Sequence, residues 1–109
     1  MSDCLFCSII GKQTQTSYVY EDDLVVAFND LHPKAPIHQL IVPKKHISTI
    51  NDVSLEDESL IGHLFTTAAH LAKKQSIADD GYRVLMNCNL HGGQIIYHIH
   101  LHLLGGKQL

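Results

Sequence analysis

Residues 97–104 constrain the fold more than any other stretch of this 109-residue chain. Apolar and imidazole side chains alternate there in the order Tyr-His-Ile-His-Leu-His-Leu-Leu. This period of two predicts a β-strand with one apolar face for a core and one face carrying His98, His100 and His102. Neighbouring imidazoles on that face lie about 6.6 Å apart at the usual strand rise. Because imidazoles exchange protons, attack phosphorus and bind metals near neutral pH, this face predicts chemistry rather than packing alone.

The composition is that of an ordinary globular protein, with 45% hydrophobic and 17% charged residues. The length suits one domain over residues 1–109. A formal net charge of −3 gives no sign of a nucleic-acid or membrane surface, and no apolar run reaches transmembrane length. The amino end lacks the pattern of a signal peptide. Three cysteines are an odd count, which argues against a disulfide framework and predicts a reducing, cytoplasmic location.

The remaining patterns predict an α+β protein with a mostly antiparallel sheet of five strands, one short helix and one long helix. Gly11 is placed to end the short helix. Ser54 and Asp57 form a capping box at the start of the long helix, which has a wide apolar stripe and carries His63 and His70 as ordinary surface or interface residues. The predicted strands span residues 18–20, 24–29, 37–42, 82–88 and 95–104, and the predicted helices span residues 4–10 and 54–75.

Two further patterns leave alternatives open. A His-x-His pair on a strand can bind one metal ion. Three alternating histidines span about 13 Å, which is too far for all three to bind the same ion. Cys4 and Cys7 form a Cys-x-x-Cys pair, which is typical of a zinc half-site or a redox pair. The redox interpretation needs a thioredoxin-like βαβ context, which the predicted elements do not supply. Cys88 is interpreted as a small buried residue.

The histidine strand resembles the signature of the histidine triad (HIT) superfamily, His-φ-His-φ-His-φ-φ with φ apolar, which here spans residues 98–104. The surrounding segments agree: Phe-Asn-Asp at 28–30, Pro-Lys-Ala-Pro-Ile-His at 33–38, Pro-Lys-Lys-His-Ile at 43–47 and Gly-Gly-Gln at 92–94. The resemblance covers roughly residues 4–106 and is nearest to the Hint branch, the small nucleotide phosphoramidases. It implies the HIT fold, with a sheet that continues across a homodimer.

The resemblance also implies a reaction. A nucleoside 5′-phosphoramidate of the purine type would be hydrolysed to a nucleoside monophosphate and an amine. His100, the middle histidine, would attack the α-phosphorus and form a covalent nucleotidyl-histidine. His102 would contact the phosphate and donate a proton. His38 matches another active-site histidine of the family.

The resemblance implies a nucleotide pocket as well. Asp30 would accept hydrogen bonds from both ribose hydroxyls, because a carboxylate offers two acceptor oxygens. Asn87 would contact the phosphate side of the ligand, and the glycine loop with Gly93 and Gln94 would cradle the phosphate. Many Hint proteins have serine at the position of Ile95, so one phosphate donor is lost in this chain. The apolar walls of the base pocket would be Leu5, Phe6, Ile9, Phe28, Leu31 and Leu40.

Relatives with this cysteine pair imply one structural zinc, bound by Cys4, Cys7, His46 and His98. Three other functions stay open. A dinucleoside polyphosphate hydrolase of the Fhit type shares the triad. A nucleotide-binding regulatory protein with little turnover is favoured by Ile95. A pure metal-binding protein is disfavoured by Asp30 and by the glycine loop.

Overall fold

A computed structural model describes residues 4–12 and 15–109; the predicted domain also takes in residues 1–3 and 13–14, which lie outside the described residues. Three 3₁₀ turns, Ile50–Asp52, Leu55–Asp57 and Leu90–Gly92, accompany the regular elements. The helices and strands follow in the order α1 Leu5–Ile10, β1 Tyr20–Glu21, β2 Val25–Asn29, β3 Ile37–Pro43, α2 Glu58–Lys74, β4 Tyr82–Leu85 and β5 Leu101–Gly105.

The five strands form one sheet in the order β1-β2-β3-β5-β4, and every neighbouring pair is antiparallel. This confirms the predicted α+β class. His102 on β5 lies opposite Leu40 of β3 on one side and Leu85 of β4 on the other. Two residues further along β5, Leu104 lies opposite His38. The middle of the sheet therefore brings His38 and His102 to one region of the same face.

The two faces of the sheet carry separate cores, as alternating side chains require. On one face, α2 buries Leu64, Ala68, Leu71 and Ala72 against residues of β2, β3 and β5. Its start has the predicted Ser54 and Asp57 capping box, although the first turn is 3₁₀ rather than α-helical. On the other face, α1 buries Phe6 and Ile9. These two side chains pack on Val26, Phe28, Leu40 and Val42.

The histidine strand is shorter than predicted, and this boundary was wrong. β5 begins at Leu101, so only His102 of the three histidines lies in it. Two hydrogen bonds explain the late start. The Ile99 N–H donates to the Ile47 carbonyl instead of joining the strand ladder, at 2.8 Å. His100 uses its ring Nδ1 to bind the carbonyl of His98, at 2.8 Å. The three imidazoles therefore do not share one regular strand face.

The other predicted boundaries need smaller corrections. The first strand is Tyr20–Glu21 rather than residues 18–20, and β4 ends at Leu85 rather than at residue 88. β4 gives way to a turn that is closed by the Asn87 side chain, whose Nδ2 donates to the Gly92 carbonyl at 2.7 Å. Gly11 does end α1. None of the helices in the described part of the chain is long and apolar enough to cross a membrane.

Candidate active site and metal-binding cluster

A cavity of about 800 Å³ opens on the face of the sheet that carries α1. It is larger than a single phosphate or amino acid needs and suits a ligand of nucleotide size. His38, His100 and His102, which we call the cavity histidines, line it. The other predicted site residues in its walls are Asp30, Phe6, Leu40, Asn87 and Gly93.

His100 is held in one tautomer by its backbone. It lies just before β5, and its Nδ1–H donates to the His98 carbonyl oxygen at 2.8 Å. A carbonyl can only accept, so the neutral ring keeps its free lone pair on Nε2. The ring is 8% exposed and packs edge to face on Phe6, with ring centroids 5.0 Å apart. His100 is therefore a fixed imidazole with one unprotonated nitrogen, which is what a nucleophile needs.

His38 and His102 form a hydrogen-bonded chain whose direction can be assigned. The Lys34 backbone N–H donates to His38 Nδ1 at 3.0 Å, so a neutral His38 carries its proton on Nε2. That Nε2–H donates to His102 Nδ1 at 2.9 Å. A neutral His102 must then carry its own proton on Nε2. His102 can therefore donate a hydrogen bond from Nε2 while its other nitrogen is fixed.

Asp30 supports this chain from the end of β2. Its Oδ1 accepts from the His32 backbone N–H at 2.8 Å, and its Oδ2 lies 3.4 Å from His38 Nε2. Asp30, His38 and His102 are close enough to hold a metal ion. The His38 Nε2–H is already shared with His102 Nδ1, so a metal ion there would have to replace that hydrogen bond.

Burial keeps the cavity histidines neutral. Desolvation lowers the pKa of His100 below its ordinary value, against the hydrogen bond to His98 and the charge of Asp30, which raise it. Desolvation is also the main cause that lowers the pKa of His102 to about 4, and the neighbouring His100 and His38 add to the effect. The pKa of His38 is lowered by burial as well, with Asp30 opposing. At neutral pH these rings are therefore uncharged, and their lone pairs remain available.

The glycine loop differs from the predicted phosphate cradle. The N–H groups of Gly92, Gly93 and Gln94 donate to carbonyls of the loop itself, at 3.1, 3.0 and 3.0 Å. Gly93 has φ +78°, a conformation that suits glycine, and this closes the turn. These donors are therefore already used within the turn. The loop instead places Asn87 and Gly93 in the cavity wall.

Five predicted pocket residues lie outside the cavity lining. Leu31 is 89% exposed and Leu5 is 47% exposed, both pointing to solvent. Ile9 and Phe28 are buried beside Phe6 and support the wall from behind. Gln94 is buried as a structural residue, since its side-chain amide binds the carbonyls of Ser48 and Ile96 and the N–H of Asn89.

The sequence reasoning missed several residues of the cavity wall. Three cations line it, Lys34, Arg83 and Lys107, together with His32 and Ile96. Arg83 on β4 lies opposite Leu104 on β5. Its place in the cavity wall therefore follows from the strand period of two, once the strand order is known. Without that order, no sequence signal separated these cations from ordinary surface charges.

The Cys4, Cys7, His46 and His98 side chains meet on the other side of Phe6, and we call them the Cys/His cluster. Their ligand atoms all lie within 4.8 Å of one another, which suits one metal ion. Cys4 Sγ lies 3.3 Å from His98 Nδ1, Cys7 Sγ lies 3.3 Å from His46 Nδ1, and the two Nδ1 atoms are 3.2 Å apart. None of the four lines the cavity. The predicted ligands are thus brought together apart from the cavity histidines.

His98 is oriented for this cluster by a second contact. Its Nε2–H donates to the Pro43 carbonyl at 2.8 Å, so its lone pair lies on Nδ1 and points at the two thiols. The ring is fully buried. Desolvation lowers the pKa of His98 to about 4, against the hydrogen bond to Pro43. A neutral imidazole whose other nitrogen donates to a carbonyl is the usual state of a histidine metal ligand.

This chain resembles known proteins over nearly its whole length. Residues 11–109 match the family model described as the HIT domain. A purine nucleoside phosphoramidase from Escherichia coli (strain K12) is 51% identical, over 98% of this chain and 90% of its own length. A HIT family hydrolase from Legionella pneumophila superimposes with a TM-score of 0.95 at 48% identity, covering 97% of this chain and 95% of that one. A histidine triad protein from Clostridium difficile gives 0.96 at 41% identity, with 100% and 95% covered.

Proposed function

Because this chain belongs to the HIT domain family, we propose that it hydrolyses purine nucleoside 5′-phosphoramidates to a nucleoside monophosphate and an amine. The observation that carries the proposal is the Nδ1–H bond of His100 to the His98 carbonyl, which leaves an Nε2 lone pair beside a nucleotide-sized cavity. The 51% identical relative named as a phosphoramidase supports the choice of substrate class.

In the first step, the His100 Nε2 lone pair attacks the phosphorus, and the bond between phosphorus and the amine nitrogen breaks. The amine leaves with the electron pair of that bond and needs a proton. This proton comes from solvent, because a neutral imidazole is too weak an acid to lose one. His102 donates a hydrogen bond from Nε2 to the leaving amine, since its Nδ1 accepts the proton of His38. The negative charge of the phosphorus oxygens is balanced by the cations in the cavity wall.

In the second step, a water molecule attacks the phosphorus of the nucleotidyl-histidine. The bond between phosphorus and His100 Nε2 breaks, and the lone pair returns to that nitrogen. The proton of the attacking water passes to solvent, while His102 keeps its Nε2 proton and donates a hydrogen bond to a phosphorus oxygen. The site then regains its starting protonation. Dividing the reaction in this way replaces one difficult displacement by two easier ones.

The test is a substrate panel combined with an acid quench. Adenosine and guanosine phosphoramidates are compared with diadenosine polyphosphates, which represent the Fhit-type alternative. Faster turnover of the phosphoramidates, with a nucleotidyl adduct trapped on His100, is the expected result. Preferential cleavage of the polyphosphates would replace the proposed substrate. Tight nucleotide binding without turnover of either class would favour the regulatory alternative, which Ile95 at the cavity rim suggests.

We propose in addition that the Cys/His cluster binds one zinc ion. A tetrahedral zinc with two sulfur and two nitrogen ligands has N–N edges of about 3.4 Å and S–N edges of about 3.6 Å, from its usual bond lengths. The separations of 3.2 Å between nitrogens and 3.3–3.6 Å between sulfur and nitrogen are close to these values. When bound, such an ion fills its coordination shell with protein ligands and acts structurally.

Elemental analysis tests the zinc site. We expect about one zinc per chain in the wild type and a strong loss in the Cys4→Ser/Cys7→Ser variant. The His100→Ala/His102→Ala variant should keep its zinc, and Cys88→Ser is the matched thiol control. If the histidine variant loses zinc while the cysteine variant retains it, the metal belongs at the cavity instead. Within the described residues, Cys4, Cys7 and Cys88 form no disulfide, which fits the cytoplasmic, reducing location we propose.

The same chain is proposed to act as a homodimer that joins two copies at β4. This strand is an edge of the sheet and offers unpaired backbone groups. Tyr82 on β4 is 38% exposed, and Phe65 on α2 is 48% exposed. A second copy would cover these apolar groups by a twofold contact. Sedimentation at micromolar concentration should give twice the mass of one chain, and a clean monomer there would reject the dimer.

A further inference from the structure

We infer that metal bound in the Cys/His cluster positions the nucleophile, so that the metal and the nucleotide bind cooperatively. This inference rests on the proposed zinc site and on the proposed catalytic role of His100. The two sites share one residue, His98, and one packing contact, Phe6. The metal takes no part in making or breaking bonds at phosphorus in this scheme. By holding His98 and α1 in place, the metal would set the direction of the His100 ring.

The first connection runs through His98. Its ring is held at both nitrogens, with Nε2 bound to the Pro43 carbonyl and Nδ1 facing Cys4 and Cys7. Its own backbone carbonyl accepts the Nδ1–H of His100 at 2.8 Å. The acceptor that orients the nucleophile therefore belongs to a metal-ligating residue. Any rotation of the His98 ring that follows metal loss acts on a backbone that also sets the direction of His100.

The second connection runs through α1. This helix has only six residues, too few to be stable alone. Cys4 caps its amino end and Cys7 lies one turn later, so two of the four ligands come from this element. Phe6 lies between them in sequence, and its ring meets His98 at 5.9 Å and His100 at 5.0 Å, both edge to face. Phe6 also lines the cavity, so a displaced α1 alters the nucleotide pocket directly.

The ligand atoms of the Cys/His cluster lie close enough together for one cation to bind them all. Two imidazole nitrogens 3.2 Å apart face two sulfur atoms at 3.3–3.6 Å. A shared cation would bind all four ligand atoms at once, whereas without it the same atoms are joined only by hydrogen bonds among the two thiols and the two imidazoles. Metal loss should therefore shift α1 and His98, not merely lower the melting temperature. A purely structural metal would lower stability and leave the two sites independent.

The decisive experiment measures thermodynamic coupling. Metal-depleted full-length protein is titrated with Co²⁺, whose tetrahedral thiolate complexes absorb visible light, in the presence and absence of saturating AMP. Coupling between two sites is reciprocal, so AMP must tighten Co²⁺ binding by the same factor by which Co²⁺ tightens AMP binding. We expect a factor of roughly 5 to 150. A factor of one, with intact Co²⁺ binding, overturns the inference and leaves the proposed metal site standing.

Kinetics of the metal-loaded and metal-depleted forms give a second measurement. We expect kcat to fall in the metal-depleted form because His100 loses its direction, and KM to rise because the pocket wall at Phe6 moves with α1. Equal kcat values in the two forms contradict the inference. If the protein carries no zinc and Co²⁺ produces no thiolate absorption, the metal site itself fails and the inference fails with it.

Two matched variants separate the Phe6 route from general destabilisation. Phe6→Leu removes the ring that joins the two histidines and keeps an apolar side chain. Phe28→Leu makes the same change in a buried neighbour, whose ring touches Phe6 at 5.7 Å and lies outside the cavity lining. The coupling factor should fall by several-fold in Phe6→Leu and stay near the wild-type value in Phe28→Leu. Equal losses in both would mean that packing in general, and not this contact, carries the effect.

Discussion

The cavity histidines and the Cys/His cluster lie on opposite sides of Phe6 and use the same side chain for different chemistry. In both, one nitrogen of a neutral imidazole is fixed by a backbone group: His100 by the His98 carbonyl, His38 by the Lys34 N–H and His98 by the Pro43 carbonyl. What differs is the partner of the other nitrogen. His100 faces a cavity of about 800 Å³, whereas His98 faces two thiols.

The comparison teaches that a histidine is assigned its role by the contact of its second nitrogen. A fixed tautomer beside open space gives a nucleophile or a proton donor. The same tautomer beside two sulfur atoms gives a metal ligand. Since His98 and His100 are two residues apart in the signature, the motif alone does not separate the two roles. The late start of β5 does, because it lets the two rings point to different environments.

The largest effect expected from the comparison is that of His100→Ala. Turnover should fall by about 10³-fold or more, because the variant lacks the attacking nitrogen. The acid-quenched adduct should disappear, while zinc content and AMP affinity stay near the wild type. His70→Ala, on the exposed side of α2, is the control. Substantial residual activity in His100→Ala would remove the distinction between the two histidine sites.

The second effect concerns Asp30, a carboxylate beside the cavity histidines that has no counterpart among the four residues of the Cys/His cluster. Asp30→Asn should raise KM by about 10- to 100-fold if, as we propose, Asp30 accepts hydrogen bonds from the ribose hydroxyls, because a charged acceptor is then replaced by a neutral one. The wild type should lose similar affinity for a 2′-deoxy substrate, and the variant should discriminate the two sugars less. Asp79→Asn, at an exposed turn, is the control. Unchanged sugar discrimination in Asp30→Asn would mean that the carboxylate serves His38 alone.

Much of the fold and of the two histidine sites could be predicted from the sequence, and what could not be predicted has physical causes. The capped long helix follows from the local periodicity of residues 54–75, and the mostly antiparallel sheet follows from the order of the predicted strands and helices. The four metal ligands were grouped by resemblance, and the geometry brings them together. The strand boundary at Leu101 was not predictable, because it depends on the Ile99 bond to Ile47, more than fifty residues away.

The cavity wall was harder to predict than the catalytic histidines. Leu31 is apolar, as a residue of the base pocket should be, but its side chain is 89% exposed. Arg83 looks in the sequence like an ordinary surface cation, but it lines the cavity. The glycine pair predicted free N–H groups, yet the turn uses them itself. These outcomes depend on long-range packing and on competing hydrogen bonds, which no local pattern records.

A third prediction uses the lowered pKa values of His38 and His102. Between the ordinary histidine pKa near 6.5 and the His102 pKa of about 4, the unfolded chain binds more protons than the folded one. The free energy of unfolding should therefore decrease as the pH falls through this window, by up to about 1.4 kcal/mol per pH unit for each such group. Urea unfolding at pH 7, 6 and 5 measures the slope. His102→Gln should make it shallower, and an unchanged slope would contradict the assignment.

The smallest predicted effect comes from Ile95→Ser, which changes the wall of the cavity and leaves the Cys/His cluster untouched. Ile95 is 88% exposed at the cavity rim, where many Hint relatives have serine, so the substitution removes no buried contact. A hydroxyl there adds one hydrogen-bond donor near the phosphate. A single such bond at a solvent-exposed position contributes about 0.5–1.5 kcal/mol, so kcat/KM should rise by about 2- to 10-fold.

Ile95→Val is the matched control, because it shortens the side chain without adding a donor. Zinc content and the Co²⁺ spectrum should be the same in both variants, since neither touches the Cys/His cluster. The gain should also depend on the leaving group, because a donor beside the phosphate acts while the charge on its oxygens is redistributed in the transition state. An equal gain in Ile95→Val would assign the effect to access rather than to hydrogen bonding. A fall in activity would show that the isoleucine itself contacts the amine.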